Sequence, residues 1–242
     1  MMNYALIFAG GTGTRMSGAA KPKQFLELHG KAIIIHTLEI FENHPDIDGI
    51  AVVCIESWLD YLKNLIDKDG LKKIKWIVPG GNSGQESIFN GLKAIHDDPA
   101  TSEDDIVLIH DGVRPLINGD VITDNIECVK KNGVAITVSP AIETIAIVDG
   151  SDKITDTVTR DRCRLARAPQ SFKIGDIYGC HQKAIEANKF DFIDSASMMS
   201  YYGFSLYTVL GPAENIKITT PSDYYIFRSI TEVKENQQIF GI

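Results

Sequence analysis

The chain has 242 residues, 44% of them hydrophobic and 23% charged, which is the balance of a globular protein with a real core and excludes a disordered, fibrous or coiled-coil one. Its 24 Lys plus Arg against 32 Asp plus Glu give a formal charge of -8, the wrong sign for life on a nucleic-acid backbone or an anionic membrane. Four cysteines without a CxxC pair argue against a zinc frame or a disulfide scaffold. With no basic leader and no apolar run near about 18 residues, the expected location is the cytoplasm.

The first apolar run, 4–9, has the pattern of a buried strand and leads into AGGTGTRMSGAAKPKQF, residues 9–25. Gly10, Gly11 and Gly13 let backbone amides approach an anion closely while Arg15 and Lys23 supply charge, so a polyphosphate is the natural guest. No acid offsets the cations of residues 1–26. The segment is not a Walker A loop, which needs GK followed by Ser or Thr. It also fails the dinucleotide fingerprint, since GTGTRM ends in Met16 where the last glycine belongs. A helical period over 33–42, a strand at 49–55, a helix at 57–68 with Ser57 as its capping candidate, and a strand at 74–78 follow.

PGGNSGQESIFNGL, residues 79–92, is a second glycine turn between a strand and a helix at 86–96. Gly81, Asn82 and Ser87 suit a base or phosphate there, and helix capping explains Ser83 and Ser87 equally well. The strand 106–110 delivers HDGVRP, in which Asp111 can face a divalent cation and Arg114 can fork onto a phosphate; a surface Asp111–Arg114 ion pair is the competing reading. His110 is expected to be a hydrogen-bonded core or rim histidine, not a base. A helix at 121–131 capped by Asn118 and a strand at 134–139 lead to TIAIVDGSDKITDTVT, residues 144–159, which alternates on both sides of a turn-rich centre and predicts a β-hairpin arm.

Residues 160–167 hold four of the seven arginines; Arg162, Arg164 and Arg167 fit a solvated face and a substrate or subunit contact equally well. Met198, Met199, Tyr201 and Tyr202 suggest a packed helix, and a strand at 205–210 and a closing helix at 222–235 complete the chain. Strands alternating with helices predict an α/β fold whose mostly parallel sheet is covered on both faces, as one unit over 1–242 with an arm at about 141–163. In such a sheet, ligands bind at the carboxyl ends of the strands.

The order GGTGTRM, PKQF, GG with a downstream Ser and NGL, HDGVRP, ETI, Arg160, APQSF and ENIKITTPSD resembles the polyol-phosphate cytidylyltransferases over nearly the whole chain. The resemblance implies a Rossmann-like nucleotidyltransferase with a protruding β-arm that crosses to the second subunit of a homodimer. It implies transfer of CMP from CTP onto the phosphate of a polyol phosphate, assisted by Mg2+ or another divalent cation, with no protein nucleophile. It places the nucleotide loop on Phe8, Ala9, Gly10 and Gly11, with Gly13 beyond, the phosphate cations on Arg15 and Lys23, and the base-binding turn on Gly81, Asn82 and Ser87. Asp111 comes near the metal and both substrates. Arg114, Thr144, Arg160 and Lys217 face the acceptor, and Arg160 and Lys217 bring its phosphate to CTP. The catalytic set is then Arg15, Lys23, Arg160 and Lys217, with Asn215 a further candidate on the metal side.

Gly84, Ala168 and IDSAS at 193–197 depart from the family pattern of an arginine, a threonine and a TDDA-like segment. The eight-residue step from Arg15 to Lys23 resembles the ribitol 5-phosphate branch, the 2-C-methyl-D-erythritol 4-phosphate branch running one residue shorter. A catalytically silent nucleotide-binding regulator is the alternative from another class.

Overall fold

In the computed structural model, which describes residues 1–10 and 21–240, the first apolar run is strand β1 (Asn3–Ala9), buried at every residue but the half-buried Phe8. Its side chains alternate between two cores, because successive residues of a strand point to opposite faces. Ala5, Ile7 and Ala9 join one core, Tyr4 and Leu6 the other. This is why the run reads as continuously apolar: both faces of the strand are covered.

The short strands β2 (Glu27–Leu28) and β3 (Lys31–Ala32) form a separate hairpin before helix α1 (Ile33–Glu42). Strand β4 (Gly49–Cys54), helix α2 (Leu59–Asp69), strand β5 (Ile74–Pro79), helix α3 (Gly84–His96), strand β6 (Ile106–Asp111), helix α4 (Gly119–Asn132) and strand β7 (Val134–Pro140) follow in alternation. Helices α1, α2 and α4 cover one face of the sheet. Helix α3 covers the other, joined there by α5 (Ile174–Glu186) and α6 (Ser195–Tyr201). Each fully buried Leu, Ile, Val or Phe in these cores contributes about 1.5–3 kcal/mol. Gly91 lets α3 approach the sheet: a methyl group there would lie 2.7 Å from Val53 Cγ2 and 2.9 Å from Leu6 Cδ1.

Asn118 caps α4 as expected, its side chain accepting from Val121 N. Helix α3 starts two residues earlier than its apolar period, because Ser83 is the N-cap and accepts from Glu86 N. Ser57 caps nothing; it sits in a 3-10 turn, Glu56–Trp58, that displaces the start of α2 to Leu59.

The predicted arm is a two-stranded antiparallel hairpin, β8 (Ile145–Val148) and β9 (Ile154–Val158), hydrogen-bonded to no other strand among the described residues. The next strand, β10 (Arg164–Lys173), was not legible as a strand. It pairs antiparallel with both β6 and β7 inside an otherwise parallel sheet of order β11-β7-β10-β6-β1-β4-β5, where β11 is Thr208–Leu210. The expected strand at 205–210 thus shrinks to three residues at the sheet edge, and the closing helix lengthens to α7 (Pro221–Phe240). Phe227 of α7 packs with Leu28, Ile33, Val113, Leu116 and Ile218 in a third apolar cluster. Among the described residues, no helix is long and apolar enough to cross a membrane.

Candidate active site

Strand order reverses between β1 and β6: the chain runs outward from β1 through β4 to β5, then returns to place β6 on the other side of β1. A crevice opens at such a switch point beyond the carboxyl ends of the strands. Here it is a cleft of about 350 Å³ bounded by Phe8 of β1, Asp111 of β6, the first turn of α3, the bulged part of β10 and the segment leading into α6.

At its centre, Asp111 Oδ2 accepts from Arg114 Nε at 2.7 Å, and Lys217 Nζ lies 2.5 Å from Asp111 Oδ1. The Asp111–Arg114 pair is real but buried, not on the surface. Burial by itself would raise the Asp111 carboxyl, yet the charges of Lys217 and Arg114 outweigh it and hold the group at about 2, so it is ionised at neutral pH. The three residues meet because Ile218 N bonds Val113 O, laying the 215–218 segment along the turn after β6, and because Arg114 Nη1 donates to Asn215 O. Lys217 Nζ also stands 5.8 Å from the Phe8 ring centre. His110 is fully buried; its Nε2 donates to Arg114 O, and burial pushes it down to about 4, so it is a neutral core residue.

On the side of the cleft where the nucleotide is expected, two turns touch. A methyl group on Gly10 or Gly80 would lie 3.0 or 3.1 Å from Ser87 Oγ, so the end of β1 and the turn after β5 both close on this hydroxyl more tightly than a side chain would without shifting it. Ser87 organises this turn instead of capping the helix: its hydroxyl accepts from Gly81 N and donates to Ser83 O. Glu86 clamps Asn82 by accepting from both its backbone and side-chain nitrogens. Lys23 opens a 3-10 turn, Lys23–Phe25, held to β1 by its neighbour: buried Gln24 donates from Nε2 to Ala9 O at 2.7 Å. Gly11, Gly13 and Arg15 lie outside the described residues.

The other wall was read less well. Gln170 ties β10 to α6, donating to Asp194 Oδ2 and accepting from Ala196 N, while Asp194 caps α6. Arg167, Gln85 and His181 also line the cleft. Gln85 Oε1 and His181 Nε2 are buried without a partner among the described residues, and burial pushes His181 down to about 4. Gln85 and Gln170 lie inside the 79–92 and APQSF motifs, Arg167 was one of three arginines with two readings, and His181 carried no sequence signal. Asn215, expected on the metal side, is fully buried and clamps β10, its Nδ2 donating to Ala168 O while Oδ1 has no partner among the described residues. Thr144 and Arg160 are not brought to the cleft of their own chain: both are exposed beside the arm, Arg160 donating to Ile142 O.

Among the described residues no three His, Cys, Asp or Glu side chains gather as a metal cage. Asp111, each of whose oxygens already faces Arg114 or Lys217, could offer Mg2+ one carboxylate ligand, the rest of the shell coming from substrate phosphates and water.

The IspD family model, 2-C-methyl-D-erythritol 4-phosphate cytidylyltransferase, matches residues 3–232. The chain is 52% identical over 240 residues to a ribitol-5-phosphate cytidylyltransferase of Vibrio parahaemolyticus, covering 99% of this chain and 100% of that one. It is 40% identical over 220 residues to a 2-C-methyl-D-erythritol 4-phosphate cytidylyltransferase of Geotalea uraniireducens, covering 90% and 92%. A crystal structure of 4-diphosphocytidyl-2C-methyl-D-erythritol synthase from Anaerococcus prevotii superposes with a TM-score of 0.83 at 28% identity, covering 96% of each chain. A cleft at the β1/β6 switch point, with a glycine turn on one side and a carboxylate held between two cations on the other, therefore sits on a fold shared over nearly its full length with these enzymes, and the chain belongs to the IspD cytidylyltransferase family.

Proposed function

We propose that this chain moves CMP from CTP onto the phosphate of D-ribitol 5-phosphate, giving CDP-ribitol and pyrophosphate. The observation that carries the reading is the Lys217–Asp111–Arg114 group at the boundary between the glycine-turn half of the cleft and the β10 half, where two anionic substrates must meet. Preference for ribitol 5-phosphate rests on the higher identity of the full-length relative that carries that name.

An oxygen of the acceptor phosphate attacks the α-phosphorus of CTP in line, a bond to that phosphorus forms, and the bond to the β-phosphate oxygen breaks, releasing pyrophosphate. A phosphate monoester is already anionic near neutral pH, so the protein positions the reactants and neutralises charge without acting as a nucleophile. Lys23, with Arg15 by resemblance, stabilises charge on the transferring and leaving phosphates. Lys217 orients the acceptor phosphate, and Asp111 holds Lys217 and Arg114 in place. Asp111 would hold Mg2+, which would supply charge neutralisation for the phosphates.

The same reading assigns Thr144 and Arg160 to the cleft of a second copy in a homodimer with exchanged arms. The exposed apolar side chains Ile142, Ile147, Val148 and Ile154 on the hairpin support it. Four free thiols fit a reducing cytoplasm.

Pyrophosphate release with CTP and each acceptor tests the proposal. Release with D-ribitol 5-phosphate far exceeding that with 2-C-methyl-D-erythritol 4-phosphate is the expected result. The reverse order would reassign the acceptor, and no release with any polyol phosphate would restore the silent binder.

A further inference from the structure

Strand β10 loses its register with β7 between Ala166 and Gln170: Ala166 pairs with Val138 and Gln170 with Ile136, so Arg167, Ala168 and Pro169 together oppose Thr137 alone. A bulge of this kind re-aims side chains at the rim of a sheet. It turns half-buried Arg167 into the cleft. The guanidinium is fixed at one corner, where Nε donates to the buried Ser139 Oγ at 3.1 Å. The bulge is fixed too, since Ala168 O accepts from Asn215 Nδ2, and Asn215 O takes Arg114 Nη1.

Arg114 and Lys217 share the Asp111 carboxylate, whereas Arg167 has no carboxylate within ion-pair distance among the described residues, and its two terminal nitrogens have no protein partner there. Burial and the nearby Arg114 charge both press against its ionisation, so a half-buried fork of donors stands open toward the cleft. Its place in the sheet decides what it meets. Strand β10 lies beyond β6 from β1, on the side away from the two glycine turns, and Lys217 stands between them beside Phe8. An acceptor whose phosphate lies at Lys217, facing the nucleotide, extends its carbon chain toward β10.

We propose that Arg167 is a specificity-determining residue that binds the hydroxyl groups of the acceptor's polyol chain through Nη1 and Nη2, with Ser139 positioning it. The inference rests on the cytidylyltransferase reading above and assigns this chain its own contact to the acceptor, separate from the exchanged arm.

Steady-state kinetics of R167Q, R167K and S139A, with thermal unfolding to confirm that each folds, tests the inference. In R167Q the KM for D-ribitol 5-phosphate should rise about ten- to hundredfold, the loss for a hydrogen bond to a charged group, while the KM for CTP stays within about twofold. R167K should remain nearly as impaired, because an ammonium is a point charge without the planar fork that spans neighbouring oxygens. S139A should shift the acceptor KM in the same direction by less, and it decides the matter if R167Q does not fold. An unchanged acceptor KM, an equal rise in the KM for CTP, or full rescue by lysine would overturn the assignment. If the wild-type protein releases no pyrophosphate with any polyol phosphate, the functional reading fails; activity in the wild type with no effect in R167Q sinks only the role of Arg167.

Discussion

Lys217 and Asp111 are brought together from about a hundred residues apart in the chain: Lys217 Nζ stands 2.5 Å from Asp111 Oδ1 while the other carboxylate oxygen is taken by Arg114 Nε. One buried carboxylate thus orders two cations in front of the cleft. Replacing it with the neutral isostere leaves those cations facing each other. D111N should lose about 3–5 kcal/mol of stability, the usual result of removing one partner from a buried pair. It should also lose most of its turnover. Urea unfolding and pyrophosphate release measure the two effects, and a fully active, equally stable D111N would refute the role given to Asp111.

K23Q should lower kcat by about a hundredfold while the Kd for CTP changes far less, because the role proposed for Lys23 is to stabilise charge on the transferring phosphates. A matching loss in equilibrium CTP binding would make Lys23 a simple binding residue. Q24A removes the donor to Ala9 O and leaves a buried acceptor unpaired, costing about 1–3 kcal/mol. It should reproduce part of the K23Q defect through misplacement of the turn that carries Lys23.

Stability should depend on acid through two buried histidines. His110 and His181 are both pushed down to about 4 by burial. The unfolded chain takes up protons on them below about pH 6.5, whereas the folded chain keeps them neutral until about 4. Stability therefore falls as pH drops through that window, by at most about 3 kcal/mol per histidine, and levels off below it. Asp111 acts lower: held at about 2 against a usual 3.8, it stabilises the fold above 3.8 and loses that contribution as pH falls toward 2. Urea midpoints between about pH 7 and 4 should decline in the wild type and less steeply in H181Q; a flat wild-type profile would contradict the assignment.

The glycines separate cleanly by what surrounds them. G84A meets nothing within 4 Å and replaces the first residue of α3, so it should be neutral or stabilise by up to about 1 kcal/mol. G91A drives a methyl into Val53 and Leu6 and should cost about 1–3 kcal/mol. Thermal midpoints of the two variants measure the contrast.

If arms are exchanged, K23Q and R160Q chains unfolded and refolded together should regain about a quarter of the wild-type activity, since half of the dimers are mixed and each of those holds one intact site. No recovery over the separate variants would place both residues in the same chain's site.

The elements most legible in the sequence were those whose signals are local. Strand β1 and helix α1 were found from their apolar periods, the α4 cap from Asn118, and the arm from alternation about DGSDK. Strand β10 escaped because RCRLARAPQSF shows no period of two: its first part is exposed, its last part is buried on both faces, and a bulge lies between. Asp111, Arg114 and Lys217 were singled out by type and motif and the fold brings them together, but their arrangement was not readable, and Arg167 and Gln170 carried no local mark of their side chains' direction.

Composition, periodicity and the glycine-rich turns are local properties of the chain, and they were enough to set the α/β alternation and the covered sheet and to mark the end of β1 as a candidate for an anion. Which side chains face one another across the cleft was decided only on folding. Strand order, the antiparallel entry of β10 and the docking of the 215–218 segment onto Val113 depend on backbone hydrogen bonds between distant segments. Those contacts gather Arg114, Arg167 and Lys217 into one cleft, with the Asp111 carboxylate between two of them.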